Sequence, residues 1–202
     1  MNQAAPTEST PNRRPFYAVL GLFFAPLLLA FAVYYGSSWR PSGSTNKGDL
    51  ISPAVPLPEA ELITAQGTAT NSSFLRADWT LVYVGMGACD ELCRRALTDI
   101  QQARLLLGKD LPRVKRAFLY SGSCCDAEFF DLQQDLVSAS IDSEAGQALL
   151  AKFPDNNGKP LHAGKIYIVD PLGNLMMSYA PGSDPRSLYQ DLKKLLGLSH
   201  VG

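Results

Sequence analysis

Cys89 and Cys93 stand in the spacing C-x-x-x-C, just where a strand-like run hands over to an amphipathic stretch. Four residues make about one turn of helix, so both sulfurs can emerge on one face. A helix N-terminus favours thiolates through its unpaired N–H groups and its dipole. Thiolates bind soft metals and attack disulfides. The plain alternative is a pair of small buried core residues. A second pair, Cys124 and Cys125, follows another strand-like run. A trans peptide holds adjacent Cα atoms about 3.8 Å apart, below the usual disulfide range, so these two are not expected to bond each other. Either could resolve a disulfide at the first pair or add a soft ligand; semi-buried loop cysteines are the competing reading. The chain has two histidines, His162 in a Gly/Pro-containing loop before a third strand-like run, and His200 in the C-terminal tail.

The elements that must position these residues follow from pattern. Residues 79–85 (WTLVYVG) are β-branched, aromatic and apolar enough for a central strand. Residues 90–107 form an amphipathic helix with Leu92, Ala96, Leu97, Ile100, Ala103 and Leu107 on one face and Gly108 after it. A second strand covers 114–120. Residues 126–152 are helical in pattern around Phe129, Phe130, Leu132 and Leu136, then Ala148 to Leu150. Strands at 165–169 and 175–179 flank the turn Asp170-Pro171-Leu172-Gly173-Asn174. Asp184 then caps a last helix with Pro185 at its first position. Arg113, Lys115 and Arg116 read as a solvated strand end. Two strands joined by a helix should be parallel with a right-handed crossover, and two joined by a tight turn antiparallel. The expectation is an α/β domain with a thioredoxin-like mixed sheet and helices on both faces. In that fold the His162 loop faces the Cys89–Cys93 junction. Two thiolates and an imidazole would make an incomplete tetrahedron, suited to copper and poorer for structural zinc. On spacing alone, a single loop histidine is more often simply exposed.

Ahead of the domain lies one N-terminal transmembrane helix. Residues 16–35 carry no charge and are long enough to cross about 30 Å of hydrocarbon. Aromatic residues mark both ends, and Pro26 sits mid-span. A cleaved signal peptide fits less well, because the apolar stretch is long and no small-x-small site follows. Arg13-Arg14 is a weak twin-arginine match. The division is a cytoplasmic tail over 1–15, the membrane helix over 16–36, a Pro/Gly/Ser-rich tether over 37–60 and the thioredoxin-like domain over 61–202. Twin arginines beside the helix and a short tail favour a cytoplasmic N-terminus in the inner membrane, with the domain in the periplasm, where cysteine chemistry is permitted. Eighteen Lys+Arg against nineteen Asp+Glu, with no basic stripe, exclude nucleic acid as a bulk-charge partner.

Residues 83–93, with Cys89 and Cys93, and 161–171 (LHAGKIYIVDP) together resemble the Sco/SenC family of cytochrome c oxidase copper-assembly proteins. In that family a membrane-anchored thioredoxin-like domain holds copper through a CxxxC pair and a histidine eight residues before the Asp of a YLVDP strand end. Asp170 minus eight is His162. The resemblance covers roughly residues 61–196 and includes the anchor. It implies copper held by Cys89, Cys93 and His162, and a partner in oxidase subunit II or other assembly factors. The chain departs from the family pattern at Asp90 and Arg94, where proline usually follows each cysteine, and at Leu161, where Asp usually precedes the histidine and could orient its imidazole. It is identified as a divergent member. Two further readings stand beside the metallochaperone. One is a thiol–disulfide oxidoreductase acting on the cysteines of subunit II, needing only Cys89 and Cys93, with Cys89 as the attacking thiolate. The other is a non-catalytic assembly scaffold.

Overall fold

A computed structural model of the chain describes residues 13–36, 45–86, 89–154 and 164–199. The chain divides into two units, Met1–Ser44 and Thr45–Gly202. The first contains α1 (Arg14–Gly36), 23 residues including Pro26, long and apolar enough to cross a membrane. At 1.5 Å per residue its length is about 34 Å, matched to a bilayer core.

The second unit runs β1 (Asp49–Pro56), β2 (Ile63–Thr64), β3 (Trp79–Met86), α2 (Glu91–Leu105), a short 3-10 segment (Gly108–Arg113), β4 (Val114–Ser121), α3 (Ala127–Leu132), β5 (Leu136–Ser140), α4 (Glu144–Leu150), β6 (Ile166–Val169), β7 (Asn174–Tyr179) and α5 (Pro185–Leu198). The strands form one seven-stranded mixed sheet in the order β1-β7-β6-β3-β4-β5-β2. As expected, β3 and β4 are parallel, while β6 and β7 are antiparallel around the 170–174 turn. Asp170 holds that turn by accepting the Leu172 and Asn174 amides.

Strand β3 is buried on both faces, so its side chains alternate between two cores rather than between core and water. Leu81 and Tyr83 join Leu97, Ile100, Leu188 and Leu192 of α2 and α5 on one face. Val82 and Val84 join Leu119, Leu149 of α4, Leu57 and Leu62 on the other. Helices therefore lie on both faces. Within α2, Leu92 departs from the expected inward stripe and is 63% exposed: the buried stripe centres on Cys93, Ala96, Leu97, Ile100 and Ala103, and Leu92 lies at its flank.

Three stretches differ from the sequence reading. Residues 126–152 are not one helical segment: α3 stops at Leu132, and Leu136–Ser140 pairs in parallel with Arg116–Tyr120 as β5. Ser138 and Ala139 are poor strand formers locally, and burial in the sheet overrides that preference. Residues 49–56, assigned to the tether, form the edge strand β1 against β7. Prolines are tolerated there because an edge strand leaves half its amides unpaired. Asp191, 1% exposed, clamps this strand's entry by accepting the Lys47 and Gly48 amides at 2.7 and 3.0 Å and the Tyr179 hydroxyl at 2.9 Å. Burial, and then the Asp191 charge and hydrogen bond, raise the Tyr179 phenol far above its ordinary value.

The third difference is Arg116, whose side chain is fully buried instead of solvated. Alternation in β4 puts Arg116 on the face of Val114 and Phe118, and Lys115 on the face of Ala117 and Leu119, where it is exposed near the strand's start. Its guanidinium donates to Asp135 and, at 2.8 Å, to Gln133 Oε1, and Arg104 reaches the same carboxylate. Burial pulls the Asp135 carboxyl up, but the Arg116 hydrogen bond and the charges of Arg116 and Arg104 outweigh it and hold it below the usual carboxylate range. A carboxyl depressed in the folded state adds stability that is present above its unfolded value, about 3.9, and is lost as pH falls through the folded value. Asp135→Ala leaves a buried cation without its partner and should cost about 3 kcal/mol, the low end for such a change because Asp135 is 43% exposed. Urea unfolding at neutral pH and below pH 3 checks this: the gap between wild type and variant should close at the acid end, and an equal gap at both would refute the assignment.

Candidate functional site

The parallel ladder ends with Gly85 beside Tyr120 and Met86 beside Ser121. Cys89 lies three residues past the end of β3, and Cys124 three residues past the end of β4. Matched register and matched turn length therefore bring both cysteine pairs to one edge of the sheet, the edge where open α/β sheets bind ligands.

The first pair straddles the start of α2. Asp90 is the helix N-cap, and its carboxylate accepts the Cys93 amide at 2.9 Å. Cys89 precedes the cap and is half-buried; Cys93, in the first turn, is 4% exposed and belongs to the core. The two are joined as a disulfide with Cα atoms 5.2 Å apart. The helix begins between them, so the two sulfurs do not both emerge from one helix face as the spacing predicts; the disulfide joins them across the N-cap. Arg94 reaches back to the Cys89 carbonyl at 3.5 Å. Tyr83 lies in the same core cluster as Cys93, and burial, with some help from the Asp90 charge, pushes its phenol up to about 12, so it remains neutral.

The second pair departs from expectation. Cys124 and Cys125 are bonded to each other, with Cα atoms 3.7 Å apart. Cys125 takes φ +50°, a conformation that L residues rarely adopt, in the turn between β4 and α3. Both cysteines are half-buried against the α2–α5 core.

Between the pairs lies a solvent-open cleft of about 320 Å³ lined by Cys89, Arg94, Cys125, Asp126 and Phe129. Asp126 caps α3 by accepting the Phe129 amide at 2.9 Å. Of the lining residues, Asp126 had a sequence signal, an acidic residue opening an apolar run; Arg94 and Phe129 had none that placed them here. His162 and His200 lie outside the described residues. The described chain resumes at Gly164, whose φ of +119° and close approach to Pro181 favour glycine.

Residues 79–199, more than half the chain, match the model of a family described as transmembrane-like, thioredoxin-like, C-terminal domain. The chain belongs to this family. No curated protein sequence matches. Among solved structures, the domain is similar to apo Sco1 from Thermus thermophilus (19% identity, 76% of this chain and 99% of that one, TM-score 0.60). It is also similar to yeast Sco1 with copper bound (15%, 73% and 91%, TM-score 0.55) and to Arabidopsis thaliana ScoI with copper bound (18%, 72% and 100%, TM-score 0.53). At these identities the likeness is one of fold, and the expected resemblance to Sco proteins holds at that level, in a divergent chain.

The burial difference within the first pair has a direct consequence. After reduction, Cys89 should react with iodoacetamide well before Cys93, because a thiol must reach solvent as well as ionise. Timed alkylation with peptide mass spectrometry measures the order; equal rates would mean that α2 frays when the disulfide opens.

Proposed function

We propose that this chain is a membrane-anchored copper-handling protein in which Cys89, Cys93 and His162 hold the metal as cargo. The observation that carries the reading is the antiparallel pairing of β3 with β6, where Tyr83 lies opposite Ile166. It makes the chain enter β6 at the sheet edge from which Cys89 leaves β3. His162 is four residues before Ile166, a span of at most about 14 Å of extended chain. Reduction of Cys89–Cys93 frees two soft sulfur ligands, and an imidazole from that loop completes a set suited to copper(I). Two of the structures that share the fold carry copper.

The finer reading follows the resemblance: copper is delivered to the copper centre of cytochrome c oxidase subunit II, or passed to another assembly factor. The membrane helix would hold the domain in the periplasm with the N-terminus in the cytoplasm. Two disulfides in one small domain support an oxidising compartment.

One observation favours a second reading, a thiol–disulfide oxidoreductase: Cys89 belongs to a formed disulfide and lines an open cleft. The two readings part at His162. In a copper(I) titration of the reduced full chain in detergent against a competing chelator, the metallochaperone binds one copper per chain. His162→Ala weakens that binding by roughly the 10–100-fold seen when metal sites lose supporting groups, or by more. Binding unchanged by the substitution would remove His162 from the site, and disulfide exchange with a peptide substrate, equally unchanged, would then establish the oxidoreductase.

A further inference from the structure

The second cysteine pair is not needed for a two-thiolate copper site, nor for a two-cysteine oxidoreductase. Yet it shares an edge, a core and a cleft with the first. Cys89 and Cys125 line the same 320 Å³ cleft, each supplied by its own disulfide. They hang from adjacent parallel strands, which run about 4.8 Å apart, on turns that leave the ladder at paired residues, Met86 and Ser121. Cys93 is buried, whereas Cys89 and Cys125 are both reached by solvent. Arg94 in the cleft wall favours a thiolate, and the Asp126 carboxylate beside it opposes one.

We propose that the two pairs form a single thiol–disulfide exchange unit, in which Cys89 and Cys125 are the sulfurs that meet. Starting from reduced Cys89/Cys93, the Cys89 thiolate attacks Cys125 Sγ. The Cys89–Cys125 bond forms, the Cys124–Cys125 bond breaks, and Cys124 leaves as a thiolate that takes up a proton. Cys93, deprotonated to solvent, then attacks Cys89 Sγ. The Cys89–Cys93 bond forms, and Cys125 leaves and is protonated in turn. The first pair is oxidised by two electrons and the second is reduced by two, with no external co-reactant. The steps run equally in reverse, so electrons placed on Cys124/Cys125 by an external dithiol, itself becoming a disulfide, return Cys89 and Cys93 to the thiol form. The adjacent pair is thereby an on-board electron store for the CxxxC pair. This goes beyond the copper reading and does not depend on it.

The test uses the full chain in detergent. Cys93→Ser/Cys124→Ser leaves only Cys89 and Cys125; in a glutathione redox buffer, peptide mapping should find them joined within one chain in the major product. The companion Cys93→Ser/Cys125→Ser, leaving Cys89 and Cys124, should give several-fold less cross-link. Glutathione adducts on both sulfurs without a cross-link, links only between chains, or equal yields in the two variants would each overturn the proposal. Wild type guards against a misfolded variant. Dithiothreitol is titrated in, with acid quenching and alkylation, and chains linked Cys89–Cys125 with Cys93 and Cys124 alkylated should appear at partial reduction. Their absence throughout the titration would overturn it. None of these readouts involves copper, so failure here and failure of the metal site are separately visible.

Discussion

Strands β3 and β4 run side by side in parallel over eight residue pairs, from Trp79 opposite Val114 to Met86 opposite Ser121. A parallel pair cannot be closed by a short turn, so the chain must cross over between them, and α2 is that crossover. Its apolar face then has to lie on the sheet, which buries Cys93, Ala96, Leu97, Ile100 and Ala103 together. The pairing also decides that both strands end at the same edge. Every cysteine in the chain sits just past one of those two ends. Move the register by one residue and the residues that β4 sends to its two cores exchange. Arg116 would then point away from Asp135, and the 124–125 turn would no longer face Cys89.

The site combines two kinds of control. Local capping sets the first pair: Asp90 binds the Cys93 amide, so Cys93 is drawn into the helix and core while Cys89 remains outside the cap. The second pair is set by a backbone conformation, with Cys125 at positive φ and Asp126 immediately beginning α3. Chemically the two pairs are not equivalent. One contains a sulfur buried in the first turn of α2 and a half-buried one outside that helix, and the other two half-buried sulfurs on a turn. The cleft between them carries a cation and an anion, Arg94 and Asp126, so the field at the sulfurs is mixed and not uniformly thiolate-stabilising.

Away from the cysteines, two buried charges hold the sheet's periphery. Asp191 ties the entry of β1 to β7 and α5, and Arg116 ties β4 to the turn before β5. Each gathers several donors or acceptors, which offsets the cost of burying a charge. Asp191 thereby anchors a strand with little apolar burial of its own. β1 exposes most of its residues.

The membrane helix, the four central strands, the crossover helix, the 170–174 turn and the Asp184-capped last helix were all legible in the residues. Each is written locally: a charge-free run, an apolar run bounded by turn residues, a 3.6-residue stripe, a capping pair. The CxxxC motif was legible as a cysteine pair at a strand–helix junction, but not that the helix would begin between its two cysteines. What the chain does not write locally is pairing between distant segments. Leu136–Ser140 looks helical until β4 offers it a parallel partner, and Asp49–Pro56 looks like linker until β7 and Asp191 receive it. Arg116 looks like a surface charge until alternation turns it toward Asp135. The bond between Cys124 and Cys125, and the cleft they share with Cys89, belong to the same class. Residue spacing argues against the bond and is silent on the cleft; the backbone conformation of one turn and the register of two strands decide both.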